Sequence, residues 1–96
     1  MPNPDPRPSA ARHALQLSVV SPAGKLISCP VDSVVIPAWD GLMGVLPGHA
    51  PLLAMLRPGT VNARAGGETY AIRVTGGFAN VGPTQVRVIA DSATQV

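Results

Sequence analysis

His49 is the side chain in this chain best suited to reactive chemistry. An imidazole titrates near neutral pH and serves as base, nucleophile or metal ligand. It lies within Gly41-Leu42-Met43-Gly44-Val45-Leu46-Pro47-Gly48-His49-Ala50-Pro51-Leu52-Leu53, a stretch holding three glycines and two prolines. Nucleophilic catalysis would need a serine or cysteine beside the imidazole, and the local sequence supplies neither. A structural metal site would need more ligands than His13, His49 and the single cysteine, Cys29, far from both. The carboxylates Asp32, Asp40, Glu68 and Asp91 stand apart from one another, so no pair is set for acid–base work. Gly76-Gly77 leads from one strand into another, not into a helix, and reads as a bulge or turn instead of a phosphate loop. No catalytic residue, cofactor or metal is expected. What remains for His49 is a surface or hydrogen-bonded structural role, or contact with a partner, which gains weight because Pro47-Gly48 before it and Ala50-Pro51 after it hold its backbone firmly. Trp39, in the turn Trp39-Asp40-Gly41-Leu42, either folds back on the core or forms an exposed loop tip suited to binding.

The elements that must position these residues read as short strands. Leu15, Leu17 and Val19 alternate with Gln16 and Ser18. Further strands follow at 25–31, 33–37, 44–46 and 51–56, with Pro30 marking an edge or bulge position. Two hairpins come next. Strands 60–65 and 68–75 flank Gly66-Gly67, and strands 78–81 and 85–91 flank Gly82-Pro83-Thr84. Tyr70, Ile72 and Val74 share one face, with Thr69, Arg73 and Thr75 on the other; Val86 and Val88 point in and Arg87 out. The strand pattern stops at Asp91. No segment has helical spacing with caps. The pattern predicts an all-β sandwich or flattened barrel over residues 14–93. Residues 1–13, with Pro2, Pro4, Pro6 and Pro8, read as a Pro-rich flexible tail, and 94–96 as a C-terminal end.

Bulk composition narrows the function classes. The chain has 96 residues, 46% hydrophobic and 12% charged, which is too apolar for a disordered segment. Trp39, Tyr70 and Phe78 are its aromatic residues, so the core must be built from Val, Leu, Ile and Ala. Its net charge is +2, but the basic residues are scattered and no aromatic cluster offers base stacking, so no nucleic-acid partner is expected. No apolar run approaches the roughly 20 residues that cross a bilayer, so direct membrane insertion is not expected. One cysteine allows no internal disulfide, which fits a reducing compartment.

The stretch from Gly41 to Leu53, followed by Leu56-Arg57-Pro58-Gly59, closely resembles the signature of the epsilon subunit of F-type ATP synthases, called delta in mitochondria. Leu17-Ser18-Val19-Val20-Ser21-Pro22 is similar to that family's first strand. Val74-Thr75-Gly76-Gly77-Phe78 and Val86-Arg87-Val88-Ile89-Ala90-Asp91 are similar to its late strands. The resemblance implies a flattened ten-stranded β-sandwich. It implies a non-catalytic rotor subunit of the central stalk, binding the gamma subunit and the c-ring and coupling ion flow to ATP synthesis. It places the protein peripherally on the cytoplasmic face of the bacterial inner membrane. By the resemblance, His49, Ala50, Pro51 and Leu52, with Ser21 and Ala54, face gamma. Trp39, Asp40, Gly41 and Leu42 face the c-ring. Many relatives carry an acidic residue where this chain has Leu42, with Asp40 the nearest substitute. The family's two-helix C-terminal hairpin is not encoded before Val96, so hairpin-based inhibition and ATP binding are not expected of this sequence. A free-standing ligand-binding β-sandwich is the alternative, and a hydrolase built on His49 a third reading.

Overall fold

The computed structural model describes residues 15–96; the Pro-rich tail and His13 lie outside them. Ten strands follow in order: β1 Leu15–Ser21, β2 Gly24–Val31, β3 Ser33–Ala38, β4 Gly41–Val45, β5 Leu52–Leu56, β6 Gly59–Ala65, β7 Glu68–Val74, β8 Gly77–Val81, β9 Gln85–Ala90 and β10 Ala93–Gln95. The ladder runs β10-β7-β6-β3-β5-β8-β9-β1-β2, with β4 on β3. The sheet folds over itself into the expected flattened sandwich. β2 ends the ladder, as Pro30 requires, because an edge strand does not need the missing N–H.

Alternation drives this closure. Leu15, Leu17 and Val19 of β1 are buried, as are Val61 and Ala63 of β6, Ile72 and Val74 of β7, and Val86 and Val88 of β9. Each buried Val, Leu or Ile contributes about 1.5–3 kcal/mol through removal from water. Among the described residues no polar or charged side chain is buried, and the core holds no aromatic ring. Tyr70 is half-buried at the core's margin and its hydroxyl donates to Glu68 at 3.2 Å.

The two halves of the sheet join at β3. Val34 pairs with Val45 of β4 on one edge and Ala63 of β6 on the other. At its far end Ala38 pairs with Gly41 of β4 and with Leu56 of β5. β3 therefore exchanges β6 for β5 along a single edge. Pro37 sits at the exchange, and its carbonyl accepts from the Arg57 N–H at 3.0 Å. A Cβ on Gly59 would come within 2.8 Å of Pro37 Cβ, so the close approach of β6 requires glycine there. At the opposite end Asp32 Oδ2 accepts from the Gly66 N–H at 2.8 Å, fastening the β6–β7 turn to the β2–β3 corner.

The sequence pattern stops at Asp91, but the structure continues. β10 pairs antiparallel with β7, Ala93 opposite Val74 and Gln95 opposite Ile72. Residues 94 and 95, read from sequence as an end segment, thus belong to a strand. Ala93-Thr94-Gln95 is too short and too polar to show an alternating signature; it forms because the β7 edge offers unpaired backbone groups. Thr75 Oγ1 and Ser92 Oγ, 3.0 Å apart, tie the turn before it.

Gly76-Gly77 is a backbone device, as expected, with φ of 139° and 125°. A Cβ on Gly77 would overlap the Ile89 carbonyl oxygen and lie 2.9 Å from Ala90 Cα. Gly77→Ala is expected to lower unfolding free energy by about 3 kcal/mol, combining a forbidden backbone conformation with lost β8–β9 pairing. Urea denaturation followed by circular dichroism checks this; an unchanged midpoint would contradict the packing described.

Candidate functional site

The tip of the β3–β4 hairpin is the turn Trp39-Asp40. Gly41, with φ of 132°, lets the chain reverse there and enter β4 at once. Gly41 and Leu42, assigned from sequence to the loop, therefore lie in a strand that begins at Gly41 and ends at Val45, not at Gly44 to Leu46. Trp39 does not fold back on the core: it is 61% exposed. Its N–H donates to the Met55 carbonyl at 3.0 Å. The Arg57 guanidinium lies 6.0 Å from the centre of its ring, a cation–π contact. Leu42 projects from the outer face at 77% exposure.

His49 lies beyond the other end of β4, about 14 Å along the strand from the hairpin tip. Gly48 turns the chain with φ of 89°, and its N–H donates to the Pro83 carbonyl at 2.8 Å. The His49 N–H donates to the Leu46 carbonyl at 3.2 Å. Its Nδ1 is 2.8 Å from the Ala50 carbonyl oxygen. A carbonyl only accepts, so Nδ1 is the donor in this contact. The ring is half-buried and held by its own loop.

The other expected contact residues separate by burial. Ala50 and Pro51 are exposed, while Leu52 and Ser21 are half-buried. Ala54 is 8% exposed and belongs to the core, because β5 alternates and its position points inward. Its methyl is almost wholly enclosed. The side chains that β5 presents outward are Leu53 and Met55, the latter facing Phe78 of β8. Sequence reading passed over these three. Continuing the β5 alternation from buried Leu56 would have found the first two.

Little reactive chemistry is assembled. Among the described residues no three of His, Cys, Asp and Glu gather as a metal site. Burial pushes the Cys29 thiol up from its ordinary value, which makes it a poor nucleophile at neutral pH. The hydrogen bond to Glu68 is the main cause of an upward shift at Tyr70. The arrangement is one of two presented loops, at opposite ends of one strand, on a cross-bonded frame.

The family model for the beta-sandwich domain of the ATP synthase delta/epsilon chain matches residues 14–96. The chain belongs to this family. It is 47% identical over 81 residues to an ATP synthase epsilon chain of Granulibacter bethesdensis, covering 83% of this chain and 60% of the relative. It is 44% identical over 85 residues to that of Rhodospirillum centenum, covering 85% and 58%. The chain thus spans about three fifths of the length of these curated relatives. A chain in the Euglena gracilis mitochondrial ATP synthase structure, described as OSCP/F1/c-ring, superposes with a TM-score of 0.79 at 28% identity, covering 86% of this chain and 54% of that one. A chain of the Tetrahymena thermophila central stalk/c-ring structure shares the fold at a TM-score of 0.71 and 10% identity.

In this delta/epsilon-type domain, Gly48 and His49 have separable roles. Gly48→Val forces a β-branched residue into positive φ and is expected to cost about 2 kcal/mol. His49→Ala removes one exposed, local hydrogen bond and should cost under about 0.5 kcal/mol. Thermal melts of the two variants check the contrast; equal loss would make His49 a core residue.

Proposed function

We propose that this domain is a non-catalytic rotor element of an F-type ATP synthase, joining gamma to the c-ring in the central stalk. The supporting observation is the match of the delta/epsilon family over residues 14–96. The geometry suits the task. Rotation needs a stiff body with two adhesive surfaces. Cross-bonded strands around a close-packed apolar core supply stiffness. The presented loops at the two ends of β4 supply separate contacts.

In this reading the segment from His49 to Leu52, with Ser21, faces gamma, and the hairpin tip from Trp39 to Leu42 faces the c-ring. Leu42 makes the ring contact apolar, with Asp40 beside it at the tip. Arg57 and the Met55 carbonyl brace Trp39 against being pushed aside. The domain sits peripherally on the cytoplasmic face of a bacterial inner membrane, and the catalytic sites belong to other subunits.

The test is binding to the cognate gamma subunit. The two proteins are expected to co-elute, with a Kd at micromolar or below by calorimetry. His49→Ala should weaken that Kd by several-fold while leaving the fold intact. No binding of the unmodified chain at micromolar concentration would overturn the proposal.

A further inference from the structure

Away from both presented loops, a surface hollow of about 460 Å³ opens where β9, β1 and β2 lie side by side. A small side chain makes its floor and long ones its rim. Ser18 of β1 stands between Arg87 of β9 and Ser28 of β2. The row on one side pairs Gln16 with Gln85. The row on the other holds Ile89, Val20 and Lys25. Lys25 reaches that row through a bulge. Val19 pairs with Ile27 and Val20 with Lys25, so Leu26 is the extra residue. In unbroken register Leu26 would stand beside Val20; the bulge sets an ammonium on the rim instead.

The hollow presents donors. Gln16 Nε2 donates to Ser28 Oγ at 3.1 Å, which leaves the Ser28 hydroxyl proton to turn toward a ligand. Ser18 adds a second hydroxyl and Gln85 an amide, while Arg87 and Lys25 bring positive charge. Each described acid is directed elsewhere. Asp32 Oδ2 accepts from the Gly66 N–H, and Glu68 Oε1 from the Tyr70 hydroxyl. Asp40 lines the hollow beside Met43 at the hairpin tip. Asp91 follows β9, but its Oδ2 is turned toward Gly76, on the side of β9 away from β1, and it lines the hollow beside Phe78. Arg87 and Lys25 therefore share one hollow that no described carboxylate lines. The cations of the opposite face differ: Arg64 and Arg73 stand in separate rows, with Asn62 and Ala71 between them.

The geometry points to an oxyanion site that takes a phosphoryl group, seated over Ser18 between Arg87 and Lys25. Strands about 4.8 Å apart put β9 and β2 about 10 Å apart across β1, a gap that two long side chains close over one small anion. The Arg87 guanidinium offers a planar fork to two oxygens, and the Lys25 ammonium is a point charge for a third. The serine hydroxyls meet the oxygens from the floor. Two cations match a phosphoryl group, which carries nearly two negative charges at neutral pH, better than a single carboxylate. Val20 and Ile89 make the adjoining wall apolar, which suits the organic group that bears the phosphate. The same chemistry serves a soluble phosphate ester and a phospholipid headgroup. The site needs no gamma subunit and stands apart from the rotor reading.

The experiment titrates inorganic phosphate into the full chain at constant ionic strength, set with sodium chloride, and follows backbone amides by NMR. Saturable shifts centred on Ser18, Lys25, Ser28 and Arg87 are expected, with a Kd in the millimolar range or below. Arg87→Gln and Lys25→Gln, at exposed positions, should each weaken that Kd about fivefold, and Ser28→Ala about twofold. Arg64→Gln on the opposite face should leave it unchanged. Circular dichroism confirms folding of each variant. Flotation with phosphatidylcholine vesicles, with and without phosphatidic acid, separates the two sources. Capture that requires phosphatidic acid and is lost in Arg87→Gln assigns the site to a headgroup; phosphate binding without capture assigns it to a soluble ester. Shifts that never saturate, or that persist unchanged in Arg87→Gln and Lys25→Gln, overturn the site. Equal weakening by Arg64→Gln also overturns it, since general charge attraction would then suffice.

Discussion

The architecture depends on the point where β3 leaves β6 and takes up β5. Without that exchange the ladder would open into two separate sheets, each with an apolar face exposed to water. The exchange is narrow, a single paired position at Ala38 and Leu56, bracketed by backbone bonds from Trp39 to Met55 and from Arg57 to Pro37. Two residue choices permit it. Pro37 lacks the N–H that would be stranded between successive partners. Gly59 lacks the side chain that would strike the proline ring. The same bonds brace the hairpin tip, so the corner that closes the core also holds Trp39 outward. Stability and presentation share one set of contacts.

Charge placement follows a second logic. A core without a buried polar or charged side chain needs no internal partners for charges, and the described charged residues lie at the surface or its margin. The acids occupy corners and strand ends, where Asp32 binds a turn N–H and Glu68 receives a tyrosine hydroxyl. The strand faces are left to cations and to apolar residues.

Much of this was legible in the chain itself. Nine strands were legible, β1, β6, β7 and β9 from period-two alternation of buried residues and the others from short apolar runs bounded by turn residues. The glycine pairs marked their hairpin and bulge. What stayed hidden needed neighbours in space. β10 has no apolar pattern of its own and exists because β7 had an open edge. Ala54 looked like a contact position by resemblance, yet the alternation set by Leu56 turns it inward. Met55, Phe78, Ile89 and Val20 are unremarkable in sequence and become a row only through the register of four strands. Gly41 and Leu42 looked like loop because Gly41's positive φ, which shortens the turn and starts the strand early, is a backbone property.

The parallel pairing of β1 with β9 imposes an order of assembly. During synthesis the first strand emerges with only its hairpin partner, β2, to hold it. Its other edge stays vacant until nearly the whole domain has been made. Hairpins such as β6–β7 and β8–β9 form locally and fast, whereas the β1–β9 contact must close a loop as long as the domain itself. The nascent chain therefore spends most of its synthesis with one bare strand edge beside Leu15, Leu17 and Val19. Pairing with the wrong chain is the hazard of that interval. Closure of the β1–β9 ladder, and with it the outer row across β5, β8, β9 and β1, comes late.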